Sequence, residues 1–406
     1  MSDLLRFLLE LAVIIAGARL LGVLMGRIGQ PTVIGEITAG ILLGPCLLGW
    51  VAPTISRQLF PPQNLPLLAS VSQLGLILFM FMVGMRLDPR HLVTHQRSAI
   101  VISATSILLP FAGGFVLAYA LYDRLAPAGV SAPLFGLYIG IVMSITAFPV
   151  LARILVETGL ASTRLGSIAI ACAAADDVVA WLLLAVAVGI ARPGAAPVPW
   201  WQPILLLGGY ASIVMLIRPL LARFDRGPIG HDRLALIVLA SVLSAAATEW
   251  IGIHALFGAF FIGLAMPKRR EFVDQVSRML EPLSLVALLP VFFAVTGLRM
   301  APLALDWRLW ADLLLIICIA TAGKWGGAVL AGRFTGLPWR EASSLGVLLN
   351  TRGLIQLVML DIGKDLGILT PGTFSLLVIA ALVTTAMTTP LLRLTTPAKT
   401  LAATAR

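Results

Sequence analysis

The sequence predicts an all-α polytopic membrane protein with about thirteen transmembrane helices. Three observations carry that expectation. Apolar runs of about 18–25 residues recur from end to end, the length a helix needs to cross a ~30 Å hydrocarbon core. Of the 406 residues, 59% are hydrophobic and only 12% charged, where a soluble domain carries about 25% charged residues. Mean hydropathy is +0.99, and the loops between runs are short and rich in Pro and Gly, too small for a soluble domain.

In chain order the expected spans are 4–26, 31–50, 66–86, 98–122, 131–156, 163–190, 202–222, 232–250, 252–267, 279–299, 308–333, 339–361 and 371–393. The first run carries Arg6, Glu10 and Arg19, so it reads as a span and not as a cleaved signal peptide. The net charge of +10 is not read as a nucleic-acid surface, because its placement follows the positive-inside rule. Nineteen of the 29 Lys and Arg fall in loops on one side, seven on the other, and Arg19, Lys324 and Arg352 lie within spans. That bias puts the N-terminus outside and the C-terminus in the cytoplasm of a cell (inner) membrane, with lipid around the spans. Trp50, Trp200, Trp201, Trp250, Trp307 and Trp310 then share the outer interface, as an aromatic belt does. Cys46, Cys172 and Cys318 lie inside spans without metal-ligand spacing and read as small apolar fillers.

The chain repeats itself. Gly84-Met85-Arg86-Leu87-Asp88-Pro89 ends the third span and Gly297-Leu298-Arg299-Met300-Ala301-Pro302 ends the tenth, both G-x-R-x-x-P. Gly35 and Gly40 in the second span match Gly258 and Gly263 in the ninth, each pair followed by a proline, Pro45 or Pro267. Matched spans are seven apart, an odd number, so the two copies cross the membrane in opposite directions. That is the inverted-repeat plan of secondary transporters, whose site lies at the midplane. It divides a single transmembrane unit, 1–406, into a first repeat at 1–190, a linker span at 191–231, a second repeat at 232–394 and a short cytoplasmic tail at 395–406.

The chemistry concentrates in Ala171-Cys172-Ala173-Ala174-Ala175-Asp176-Asp177-Val178-Val179-Ala180-Trp181, where two acids sit near the middle of the sixth span. One charge at that depth costs at least ~2.5–3.5 kcal/mol on insertion scales, so the pair needs a reason to be there. A structural hydrogen-bonding pair is the bland explanation; a site that takes up cations or protons is the sharper one. In the fifth span Ser144-Ile145-Thr146-Ala147-Phe148-Pro149 interrupts the helix, since proline gives up a hydrogen bond. In the twelfth, Asn350-Thr351-Arg352-Gly353 does the same, again seven spans away. Paired interruptions in two repeats point to a transport site. Arg352 reads as neutralising the ends of the broken helices. Lys324, in Gly323-Lys324-Trp325-Gly326-Gly327, lies too deep to snorkel, and its glycines admit another helix. It needs a carboxylate. Neighbouring side chains on a helix diverge by about 100°, which assigns Asp176 to Lys324 and Asp177 to the cation and proton. Asp177, Asp176, the Thr146 hydroxyl and freed carbonyls supply the oxygens a hard alkali cation prefers. Glu36 and Glu157 read as helix-terminal residues, Glu249 and His254 as solvated loop residues, and His91, His95 and His231 as loop histidines.

These residues resemble the monovalent cation:proton antiporter-2 family, close to bacterial relatives of plant cation/proton exchangers. The resemblance rests on Ile145-Thr146-Ala147-Phe148-Pro149-Val150-Leu151-Ala152-Arg153, Asp176-Asp177-Val178-Val179-Ala180-Trp181 and His254-Ala255-Leu256-Phe257-Gly258-Ala259-Phe260. Gly323-Lys324, Leu349-Asn350-Thr351-Arg352-Gly353-Leu354 and Ala386-Met387-Thr388-Thr389-Pro390 follow in order. It implies the sodium/proton antiporter fold with two broken crossing helices, at Ala147, Pro149, Thr351, Arg352 and Gly353. It further implies a homodimer, exchange of Na+ or K+ for protons by elevator-like alternating access, and Asp177 as the carrier of both ions. Asp176 with Lys324 is similar to the electrogenic members. No cofactor is expected beyond the transported ions. Where many relatives have Glu, this chain has Gln356.

Other classes fit less well. A channel needs a continuous polar stripe that few spans have. A membrane aspartyl protease, the rival that would make this an enzyme, needs acids on separate helices and a Gly-x-Gly-Asp motif. A sodium-coupled solute symporter on a related fold is the closest alternative.

Overall fold

The computed structural model describes residues 3–86, 96–160, 163–191, 201–225, 227, 229–251, 254–302 and 306–395. The expected tail beyond 395, Trp200, His91, His95 and the Leu87-Asp88-Pro89 end of the first G-x-R-x-x-P motif lie outside the described residues. Within them every regular element is a helix. The first part of the chain forms α1 (Asp3–Arg27), α2 (Thr32–Leu43), α3 (Leu65–Arg86) and α4 (Gln96–Ala120). Then come α5 (Ala132–Ser144), α6 (Phe148–Glu157), α7 (Arg164–Ala191) and α8 (Gln202–Leu216). The second part runs through α9 (His231–Ile251), α10 (Ala255–Ala265), α11 (Arg270–Leu283) and α12 (Leu289–Leu298). It closes with α13 (Trp307–Phe334), α14 (Trp339–Leu349), α15 (Leu354–Asp365) and α16 (Pro371–Thr395).

Among the described residues nine helices are long and apolar enough to cross a membrane, or eleven if each of two bent pairs is one span. The short apolar helices α5 and α10 stand where two further spans were expected. Thirteen is therefore an approximate count. At eleven residues α10 is about 16 Å long, little more than half a hydrocarbon core. The seventh span bends by 44° where α8 gives way to Arg218–Asp225, because Pro219 lacks the N–H that would carry the helix on. Glu249 and His254 are not free loop residues. They cap α10: a Glu249 carboxylate oxygen accepts the Ala255 N–H at 2.8 Å and His254 Nδ1 accepts that of Leu256 at 3.4 Å.

The chain folds into two compact units, and each draws on both sequence halves. The first comprises Met1–Leu20, Glu36–Pro89 and Pro197–Arg299; the second comprises Leu21–Gly35, Arg90–Ala196 and Met300–Arg406.

In the first unit the repeated glycines act as paired contact points. A Cβ on Gly40 would lie 2.1 Å from the Phe293 carbonyl oxygen, and one on Gly297 2.0 Å from that of Gly40, so α2 and α12 touch backbone to backbone. The equivalent pair is α10 with α3, where a Cβ on Gly263 would meet the Phe81 oxygen at 2.2 Å and one on Gly84 the Phe260 oxygen at 2.1 Å. The first glycine of each G-x4-G motif serves the preceding helix instead. Gly258 packs on Ser244 of α9, and in the second unit Gly35 packs on Leu21 of α1. Small residues let helices approach this closely in lipid, where apolar burial gives no drive for association. Gly297→Ala is therefore expected to destabilise by at least ~1–3 kcal/mol, because two helix backbones must part. Gly209→Ala in α8, where a Cβ meets nothing within 4 Å, is expected to be neutral or to stabilise by up to ~1 kcal/mol. Thermal unfolding of the two purified variants checks the contrast.

Candidate functional site

The second unit holds both interrupted spans. Pro149 does not kink a continuous helix: it sits in the first turn of α6, where no N–H is required, and the chain between α5 and α6 is non-helical at Ile145-Thr146-Ala147. The other break runs from Asn350 to Gly353 and turns α15 by 42° from α14. The two breaks are joined by backbone: the Ala147 N–H donates to the Thr351 carbonyl at 2.9 Å. Gly353 is required for that approach. A Cβ there would lie 2.6 Å from Val150 Cγ2 and 3.3 Å from the Ala147 Cβ.

Beside this crossing α7 presents its two acids. Asp176, 1% exposed, is saturated. The Ser103 hydroxyl of α4 donates to Oδ1 at 2.6 Å, and Oδ2 takes the Lys324 ammonium of α13 at 2.8 Å. The Thr146 hydroxyl lies 2.7 Å from the same Oδ2 and 2.9 Å from the Leu349 carbonyl, with one proton to divide between them. Lys324 is fully buried and also donates to the Ser144 carbonyl, at 2.5 Å, where α5 ends. Removing one partner from a buried ion pair costs about 3–5 kcal/mol, because the other charge is stranded. Gly323 and Gly327 let α13 close on α4, at Pro110 and Thr105, and so set the reach of the lysine; Gly326 faces open space instead.

Asp177 is the opposite case. It is 2% exposed, and neither carboxylate oxygen has a hydrogen-bond partner among the described residues. The Phe148 N–H, first donor of α6, lies near enough to act on it but outside hydrogen-bonding geometry. The positive end of a half-helix thus faces the acid. An ionised carboxylate in such surroundings is costly unless something neutralises it. An acid so placed is chemically suited to hold a proton or accept a cation, since it has no hydrogen-bond partner among the described residues.

Arg352, 2% exposed, does not approach the acids as a ligand. It donates to the Val142 carbonyl at 3.1 Å and the Met143 carbonyl at 2.8 Å. With Lys324 on Ser144, two cations meet the negative end of α5. Thr385 of α16 fixes the arginine's own backbone, accepting its N–H at 3.0 Å and donating to its carbonyl at 2.7 Å.

The structure thus brings Asp176, Thr146 and Lys324 into direct contact, sets Asp177 next to them and places Ala147, Thr351 and Gly353 at the crossing. Ser103 and Thr385 were not singled out from sequence. Their signal was present: polar residues in an apolar span face the bundle interior, and Ser103, Thr105 and Ser106 or Thr384, Thr385 and Thr388 are such clusters. Gln356, in the first turn of α15, is buried, and its amide oxygen has no partner among the described residues. A Glu there would add a charge needing its own neutralisation; the amide does not.

Residues 12–394 match the family model described as sodium/hydrogen exchanger, transmembrane. The chain belongs to the sodium/hydrogen exchanger family. Across 404 residues it is 40% identical to the Na(+)/H(+) antiporter NhaS4 of Synechocystis sp., covering 96% of this chain and 97% of that one. It is 38% identical to cation/H(+) antiporter 17 of Arabidopsis thaliana over 95% of its own length, but spans only 47% of that relative. In fold, this exchanger-family chain is similar to the sodium proton antiporter MjNhaP1 of Methanocaldococcus jannaschii. The TM-score is 0.73 at 14% identity, over 95% of this chain and 96% of that one. The fold is that of the sodium/proton antiporters, in a multi-pass membrane protein.

Proposed function

We propose that the chain is a secondary antiporter, not an enzyme, that exchanges a monovalent cation, Na+ or K+, for protons by elevator-like alternating access. The observation that carries this reading is the contrast within one dipeptide: Asp176 saturated, Asp177 buried with no partner among the described residues. A buried carboxylate that accepts either a proton or an alkali cation, and never both, couples the two fluxes. Asp177 is the shared ligand, the Thr146 hydroxyl and carbonyls at the breaks supply further oxygens, and the positive end of α6 favours the ionised acid. Asp176 with Lys324 holds a second exchangeable pair of charges, which supports electrogenic exchange.

The working form is a homodimer in the cell (inner) membrane, with the N-terminus outside and the C-terminus cytoplasmic. The Lys and Arg bias supports that orientation, and so do Trp50, Trp201, Trp250, Trp307 and Trp310, all exposed at helix ends or in loops.

The test is a pH-gradient assay in inverted vesicles with Na+, K+ and Li+ added in turn. At least one cation is expected to dissipate the gradient with no organic solute present, and Lys324→Ala is expected to shift the pH profile or the charge moved per cycle. A requirement for an organic solute would replace antiport by the symport alternative, which family membership does not favour.

A further inference from the structure

Lys324 donates two of its three N–H bonds, to Asp176 and to Ser144, and both are held in this arrangement by α5 and α7. An ammonium that lets go of Asp176 in water-poor surroundings must find another acceptor. One stands free beside the same helix. Asn350, the first residue of the second break, is 3% exposed, and its Oδ1 has no partner among the described residues. Its Nδ2 makes a loose 3.4 Å contact with the Thr321 hydroxyl. Thr321 precedes Lys324 by three residues on α13, so both side chains leave one face of that helix. The residue before Asn350 offers the Leu349 carbonyl to Thr146, which itself touches Asp176. Among the described residues, an ammonium donor without a third acceptor and an amide oxygen without a donor therefore flank one cluster.

Resting on the antiport reading above, we propose that Asn350 is a positioning residue that provides the second berth of the Lys324 ammonium once Asp176 releases it. A neutral amide oxygen suits that task. It holds a cation more weakly than a carboxylate does, so the lysine returns, and it does not titrate, so the berth is present at every working pH. Thr321 steadies the amide. With the berth removed, Lys324 stays on Asp176, and an incoming alkali cation meets a stronger rival for the site.

The readout is the Na+ or K+ concentration giving half-maximal thermal stabilisation of the purified protein, which needs no turnover. Asn350→Ala is expected to raise that concentration about tenfold. In a Lys324→Ala background the same substitution is expected to change it less than twofold, because there is no ammonium left to place. A tenfold effect that persists without Lys324 would make Asn350 a direct cation ligand or a structural residue and overturn the proposal; so would no effect with Lys324 present. Should Asn350→Ala not fold, Thr321→Val replaces it, with a smaller rise expected and the same dependence on Lys324. If no alkali cation stabilises the unsubstituted protein, the antiport reading fails instead, and that outcome is read before any variant.

Discussion

Asp177→Asn is expected to bring cation-driven proton movement down to the vesicle background while leaving the fold intact. The amide is isosteric with the carboxylate but carries no exchangeable charge, so it neither releases a proton nor neutralises a cation. At an effective dielectric of about 20, a unit charge pair 4 Å apart is worth about 4 kcal/mol, which corresponds to roughly a thousandfold in cation affinity. Stability is not expected to suffer, since Asp177 gives up no hydrogen bond with any described residue. Asp176→Asn, one position earlier, should behave in the reverse way. It strands the Lys324 ammonium, now without its ion-pair partner, at an expected cost of about 3–5 kcal/mol. Two isosteric changes on adjacent residues thus separate transport from folding. The pH-gradient assay and thermal unfolding, run on both variants, check it; retained exchange in Asp177→Asn would remove the site assignment.

Much of this arrangement was legible before any coordinates. The acids and Lys324 stand out because charge in an apolar run needs compensation, and the proline and Arg-Gly breaks stand out because helices tolerate neither silently. The glycine repeats point to symmetry, and the structure adds why they recur: one helix contact is made twice, through Gly40 and Gly297 and through Gly263 and Gly84. Ser103 and Thr385 were hidden for a different reason. A serine or threonine in a span satisfies its own hydroxyl on the preceding turn as readily as on a neighbour, and only helix rotation and packing decide which. Ser106 bonds back to the Ser103 carbonyl, whereas Ser103 reaches Asp176. The short α10 and its caps were likewise beyond hydropathy, which scored 252–267 as apolar without registering that Glu249 and His254 end the polar turn by bonding to helix amides. The position of Pro149 shows the limit most clearly. Proline announces a break, but it starts the second half-helix instead of ending the first, and that puts the Phe148 amide, not a loose carbonyl, beside Asp177.

The largest effect on stability is expected at Arg352. Replacing it with Gln removes the charge and the fork that reaches the Val142 and Met143 carbonyls, both buried at the end of α5. Each orphaned carbonyl costs about 1–3 kcal/mol, and loss of a cation from a partly or fully buried helix C-terminus adds up to ~2 kcal/mol. A deficit of roughly 3–6 kcal/mol results, comparable with the whole margin of many proteins. Arg352→Lys separates the two contributions. It retains the positive charge at the helix end but lacks the planar fork, so it serves one carbonyl well and not both, and its deficit is expected to be about half that of Arg352→Gln. Thermal unfolding in detergent should then rank Arg352→Gln lowest, Arg352→Lys between, and the unsubstituted protein highest. The site answers for the mechanism as well as for stability, because the Arg352 backbone is clamped by Thr385 while its side chain holds α5. The arginine ties the second break to the first, and Lys324 draws the same helix end toward Asp176. If Arg352→Gln unfolded like the unsubstituted protein, the end of α5 would have to be neutralised by something other than this guanidinium, and the crossing would lose its main tie.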